Sequence, residues 1–153
     1  QFGMLIFGHK HLLDERAFAA RPVGELARLY KLVNSLGDGA DLADKLRRVP
    51  PDDPERTEIE QRWTAFETQV RKLVAEDPQV ARLAGRFPDA DSLARYVAEE
   101  SRQETARLHA SGLGDEARQR YAVIGPAGMS VDGLIRYWTR SAAPAPPSRG
   151  RSS

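Results

Sequence analysis

Between two proline-marked breaks, this chain carries a run of apolar residues at heptad spacing. Asp53 and Pro54 carry the signals of a helix start, and Asp77-Pro78 carries those of a helix end. Between them, five apolar residues recur at intervals of four, three, four and three: Ile59, Trp63, Phe66, Val70 and Leu73. This spacing predicts a helix over Pro54–Glu76 whose apolar seam is buried against another helix or against a partner.

Shorter periodic segments on both sides of this helix also predict helices. Met4–Phe7 is either an extended lead-in or a first helical turn. One apolar stripe, expected to face the core, runs along residues 23–36: Val23, Leu26, Leu29/Tyr30, Val33 and Leu36. Gly37 occupies the position of a C-terminal cap, Asp38-Gly39 is typical of a turn, and Asp91 is typical of an N-cap. The predicted helices other than Pro54–Glu76 span residues 12–20, 23–36, 41–49, 78–86, 92–111, 116–123 and 131–140.

These segments predict an all-α fold, a multi-helix bundle with two long helices, several short helices and a disordered C-terminal tail. The long helices are Pro54–Glu76 and Ser92–Ser111, and the buried side of the second is made mostly of small residues. We predict a single helical domain over residues 4–140 and a flexible Pro/Ser/Arg tail over 141–153. We interpret Gln1-Phe2-Gly3 as a cloning remnant, with Met4 as the natural start.

Composition excludes several kinds of chemistry and indicates a source. The chain has no cysteine, which excludes disulfides, thiolate metal sites and cysteine nucleophiles. The longest apolar stretch, Met4–Phe7, is too short to span a membrane, so we predict a cytoplasmic protein with no membrane partner. Arginine outnumbers lysine and Asn34 is the only asparagine, which favours a GC-rich bacterial genome.

The histidines and the clustered carboxylates do not form a recognisable catalytic or metal-binding pattern. His9 and His11 would need a third protein ligand, and the remaining histidine, His109, lies in a distant helix. Glu104 and His109 are five residues apart, which does not match the Glu-x-x-His spacing of di-iron bundles. We therefore predict no metal, no cofactor and no catalytic residue, and we interpret the glutamates around Glu104 as a solvated face.

Two features remain as candidates for function. The first is the seam Ile59, Trp63, Phe66, Val70 and Leu73, as a partner interface or as core. The second is charge at the C-terminal end, because residues 117–153 carry six arginines and one acidic residue, whereas residues 1–116 carry 17 basic and 21 acidic residues. Its candidate nucleic-acid contacts are Arg118, Arg120, Arg136, Tyr137, Trp138 and Arg140.

The sequence therefore favours a non-enzymatic helical protein-interaction module: an adaptor, a regulator or an accessory subunit of a bacterial complex. Its partner would be another protein or a second copy of the chain. The alternative is a nucleic-acid-binding regulatory protein that uses the basic C-terminal helix and tail. A third interpretation is an enzyme with an unrecognised carboxylate-based site.

Overall fold

The computed structural model describes residues 2–110, and this part of the chain is all-α. Its six helices are α1 (Phe2–His11), α2 (Glu15–Ala20), α3 (Pro22–Arg48), α4 (Glu55–Glu76), α5 (Pro78–Ala84) and α6 (Ala90–Ala110). The predicted helical bundle is therefore confirmed. None of these helices has the length and apolar character needed to cross a bilayer.

The bundle is organised around α3, which contacts α1, α2, α4 and α6. Helices α1, α3 and α6 also contact one another pairwise, and α4 and α5 pack beside them. Side chains that are almost fully removed from solvent fill the space between these helices: Phe7, Leu12, Leu29, Val33, Leu36, Val80, Leu93 and Val97. Burial of these apolar surfaces supplies the main stabilisation of the bundle.

Helix α3 differs from its predicted form, because it runs unbroken for 27 residues from Pro22 to Arg48. The prediction of a helix end at Gly37 and a turn at Asp38-Gly39 is wrong. Glycine inside a helix costs about 1 kcal/mol relative to alanine, which packing can offset. Gly39 packs directly against the Phe66 ring of α4, because a Cβ atom on residue 39 would lie less than 3.0 Å from that ring.

Helices α4 and α5 follow the proline signals closely. Helix α4 begins at Glu55, whose backbone N–H donates to Asp53 Oδ1 at 2.9 Å, and it ends at Glu76. Asp77 then caps α5, because its Oδ1 accepts from the N–H groups of Gln79 and Val80. The aspartate-proline pairs at these two positions fix the helix ends in the way that local capping chemistry predicts.

The first and last described helices depart from the predictions in detail. Helix α1 takes the helical alternative for Met4–Phe7 and includes Gly3, which is buried where α1 approaches Ser101 and Thr105 of α6. Helix α6 begins earlier than predicted. The N–H of Ser92 donates to Asp89 Oδ1 at 2.7 Å, so Asp89 supplies the cap that we assigned to Asp91.

The predictions for the C-terminal end lie outside the described residues. They comprise the helices at 116–123 and 131–140, the domain boundary at 140 and the tail at 141–153.

Candidate interaction surface

Helix α3 presents to solvent one face that carries large apolar side chains. Val23 is 50% exposed and Tyr30 is 39% exposed, although the sequence pattern places both in a buried stripe. That prediction is wrong at these two positions, because the buried side of α3 is centred on Leu29, Val33 and Leu36 instead. At helical spacing one side of α3 carries six residues, which we call the α3 outer face: Val23, Ala27, Tyr30, Asn34, Gly37 and Asp41.

The α3 outer face leads into a groove of about 260 Å³ between α3 and α6. We call it the α3–α6 groove. Helix α1 contributes Met4 to its wall, and Asp38 and Asp41 lie along its α3 side. Six further residues define the two long walls: Val33, Asn34, Gly37, Ala98, Ser101 and Thr105. Three of these residues, Gly37, Ala98 and Ser101, are small, and larger side chains at these positions would fill the groove.

Ser101 gives the groove a polar group without a partner. The residue is 7% exposed, and its hydroxyl oxygen makes no hydrogen bond within the described part of the chain. Its backbone carbonyl is used, since Thr105 Oγ1 donates to it at 3.1 Å. A buried hydroxyl without a partner costs stability and calls for an explanation in a native fold.

The predicted apolar seam of α4 is divided between the core and the surface of the bundle. Ile59, Phe66 and Val70 are buried, and α4 packs on α3. Trp63 and Leu73 are half-buried, and the Trp63 ring lies 5.4 Å from that of Phe66, centroid to centroid. Three of the five seam residues therefore contribute to the core beside α3.

The sequence pattern predicts a solvated face around Glu104, and this prediction is wrong, because Glu104 is buried. Its side chain is 8% exposed, and its Oε1 accepts from Lys10 Nζ of α1 at 2.8 Å. Arg107 pairs with the same carboxylate and also reaches Glu100 at 3.5 Å. The carboxylate of Glu104 thus joins α6 to α1, which gives it a structural role that its position in the sequence does not reveal.

A second polar site surrounds a cleft of about 740 Å³ near the α1–α2 connection. Asp14 and Arg28 line this cleft, and both bind the buried carboxylate of Glu25, which accepts from Arg28 Nε at 2.6 Å and from the Asp14 N–H at 2.7 Å. Arg28 also donates to Asp77 Oδ2 and to the carbonyl of Leu12. These bonds tie α3 to the α1–α2 connection and to the α4–α5 junction, so the network supports the fold directly.

His9 and His11 line this cleft beside Lys10. Burial lowers the pKa of His9, and burial together with the charges of Arg86 and Lys10 lowers the pKa of His11 against the opposite effect of Glu100 and Glu104. No group of three histidine, aspartate or glutamate side chains placed to hold a metal ion occurs among residues 2–110.

The lowered pKa of His11 predicts a pH-dependent stability. The imidazole of His11 binds a proton more readily in the unfolded chain than in the folded one. Its contribution to the free energy of unfolding is therefore fully present above the unfolded pKa of about 6.5, and it is lost as the pH falls through that value towards the folded pKa. We expect His11→Gln to reduce the stability difference between pH ~7.5 and pH ~5.5 measured by urea unfolding. Equal pH dependence of the wild type and His11→Gln would contradict the prediction.

The candidate nucleic-acid contacts Arg118, Arg120, Arg136, Tyr137, Trp138 and Arg140 lie outside the described residues. Sequence reasoning did not find the α3–α6 groove. Gly37 and the small residues of α6 were visible signals, but the pattern favoured a helix end at Gly37. The burial of the Ser101 hydroxyl depends on how α1 and α6 meet, which helical periodicity does not specify.

Comparison with known proteins gives one partial similarity. Over 71 residues the chain is 36% identical to the arginine–tRNA ligases of two Streptococcus agalactiae strains, serotypes Ia and III. The match covers 43% of this chain and 12% of each ligase, so the chain spans a small part of these relatives. No family model matches the sequence, and no solved structure matches it.

Proposed function

We propose that this protein is a non-enzymatic helical interaction module, acting in the bacterial cytoplasm as an adaptor, a regulator or an accessory subunit. The observation that carries the proposal is the α3 outer face, on which Val23 and Tyr30 are exposed. An aromatic and an aliphatic side chain exposed two turns apart on the same face of a helix are typical of the residues that anchor protein interfaces. The α3–α6 groove adjoins this face and supports the same proposal.

The arrangement of charges also favours binding over catalysis. The carboxylates of Glu25 and Glu104 are both buried and both engaged by arginine or lysine. Glu104 joins α6 to α1 through Lys10, and Glu25 joins α3 to the α1–α2 connection through the Asp14 N–H. A carboxylate held in this way supports the fold rather than moving a proton. The side chains of the α3 outer face are therefore better candidates for function than these buried acids.

Site-specific photocrosslinking tests the proposal in cells of the source bacterium. Benzoylphenylalanine at position 30 should give a discrete crosslinked species with one partner protein or with a second copy of the chain. The control places the same group at Gln69, an exposed position on α4. Absence of a discrete product at position 30, or the same product at position 69, would count against the proposal.

The partial similarity to arginine–tRNA ligases favours RNA as a second candidate partner. Those enzymes act on tRNA, and the basic end of this chain has the arginines and aromatics that contact phosphates and stack on bases. In this alternative the chain binds RNA through Arg136, Tyr137, Trp138 and Arg140.

Binding of labelled tRNA to the full chain tests this alternative. We expect binding to weaken as salt rises, and we expect the double change Arg136→Ala and Arg140→Ala to raise the Kd about tenfold or more. The matched control changes two exposed arginines of α4, Arg62→Ala and Arg71→Ala. No binding at low salt, or equal losses in both double variants, would remove RNA as the partner.

A further inference from the structure

Gly37 and Gly39 lie two residues apart on α3 but have opposite surroundings. A Cβ atom at Gly39 would meet the Phe66 ring, whereas a Cβ atom at Gly37 would meet nothing within 4 Å. Packing inside the bundle therefore accounts for Gly39 and does not account for Gly37. Because glycine weakens a helix, a half-buried glycine beside open space in the α3–α6 groove indicates room for something outside the bundle.

The wall of the α3–α6 groove on α6 is formed by small side chains, Ala98 and Ser101. The Ser101 hydroxyl oxygen is closed off from solvent and has no hydrogen-bond partner in residues 2–110, so it lies inside this wall. Ala98, one turn before Ser101, keeps this wall low enough for the backbone of another helix to approach closely.

Charge indicates what the occupant carries. Asp38 and Asp41 lie on the α3 side of the groove and form no ion pair with the described residues. Arg102 lies on the α6 side of the groove and pairs with Glu99 instead. Two carboxylates at the edge of a partly apolar groove favour a partner with positive charge along that edge.

We propose that the α3–α6 groove binds an amphipathic helix of another protein, with small side chains on its buried face and lysine or arginine facing Asp38 and Asp41. This inference rests on the proposed function and specifies its partner. Val23, Tyr30 and Gly37 are spaced by seven residues along α3, which is the repeat of two helices packed side by side. The partner helix would follow this stripe for about 20 Å, or roughly four turns.

A display library of helical peptides with randomised surface positions provides the probe. Selection on the full chain should enrich peptides that carry several lysines or arginines, and the strongest of them should then be measured by fluorescence anisotropy. Gly37→Leu fills the groove and should weaken binding at least tenfold without lowering the thermal midpoint. The control Ala65→Leu adds the same side chain at an exposed position on α4 and should leave affinity unchanged.

A second variant separates charge from shape. Asp38→Asn combined with Asp41→Asn should weaken the basic peptide several-fold, and less so at high salt. No enrichment, enrichment of peptides without positive charge, or equal binding to the wild type and Gly37→Leu would overturn the inference. If crosslinking from position 30 still captures a discrete partner in that case, the proposed function stands while this groove is not its site.

Discussion

Gly39→Ala is expected to lower the free energy of unfolding by about 2 to 3 kcal/mol, the cost typical of an overpacked core. The added methyl would lie less than 3.0 Å from three carbon atoms of the Phe66 ring, which is itself buried. Either the ring turns towards Trp63 or α4 moves away from α3, and both changes disturb close packing. Urea unfolding followed by circular dichroism measures this loss.

Gly37→Ala is the matched control in the same helix. Its methyl enters open space, so we expect the free energy of unfolding to rise by about 0.5 to 1 kcal/mol from helix propensity alone. Combining Gly39→Ala with Phe66→Leu should cost less than the two single changes added together, because the ring that clashes is gone. Equal effects of alanine at positions 37 and 39 would contradict this account of α3.

Glu25→Ala is expected to lower the free energy of unfolding by about 3 kcal/mol. This value lies at the lower end of the range for breaking a buried ion pair, because the partner Arg28 is partly exposed. The change removes the acceptor of Arg28 Nε and of the Asp14 N–H together. The remaining bonds of Arg28, to Asp77 and to the carbonyl of Leu12, hold part of the network in place.

The pair Glu99 and Arg102 offers the same residue types at the same spacing on the surface of α6. We expect Glu99→Ala to leave the free energy of unfolding nearly unchanged, since exposed ion pairs contribute little. Thermal and urea unfolding of the two variants compare them directly. A loss in Glu25→Ala no larger than that in Glu99→Ala would show that the buried network is not a main support of the fold.

The parts of the fold that local chemistry determines could be predicted from the sequence. The limits of α4 follow from Asp53, Pro54 and Asp77-Pro78, and its buried residues follow from heptad spacing. The break predicted in α3 was wrong because Gly37 and Asp38-Gly39 have the composition of a helix end. Only the position of Phe66 in another helix explains why Gly39 belongs inside α3.

The candidate site was less predictable, because it depends on which sides of α3 and α6 remain uncovered. Periodicity placed Val23 and Tyr30 in the same stripe as Leu29 and Val33, yet the first two are exposed and the last two buried. When the apolar stripe of a helix is wider than the area that its neighbouring helices cover, the residues along one edge of the stripe stay exposed to solvent. The sequence alone does not state where that edge falls.

If the α3 outer face binds a protein, removal of its exposed apolar side chains should weaken that binding. After crosslinking identifies the partner, calorimetric titration compares its binding to the wild type and to the double variant Val23→Ser and Tyr30→Ser. Both side chains are exposed, so the double variant should keep its thermal midpoint while the Kd rises at least about tenfold, as for loss of interface anchors. An unchanged Kd in a fully folded double variant would show that the α3 outer face is not the binding site.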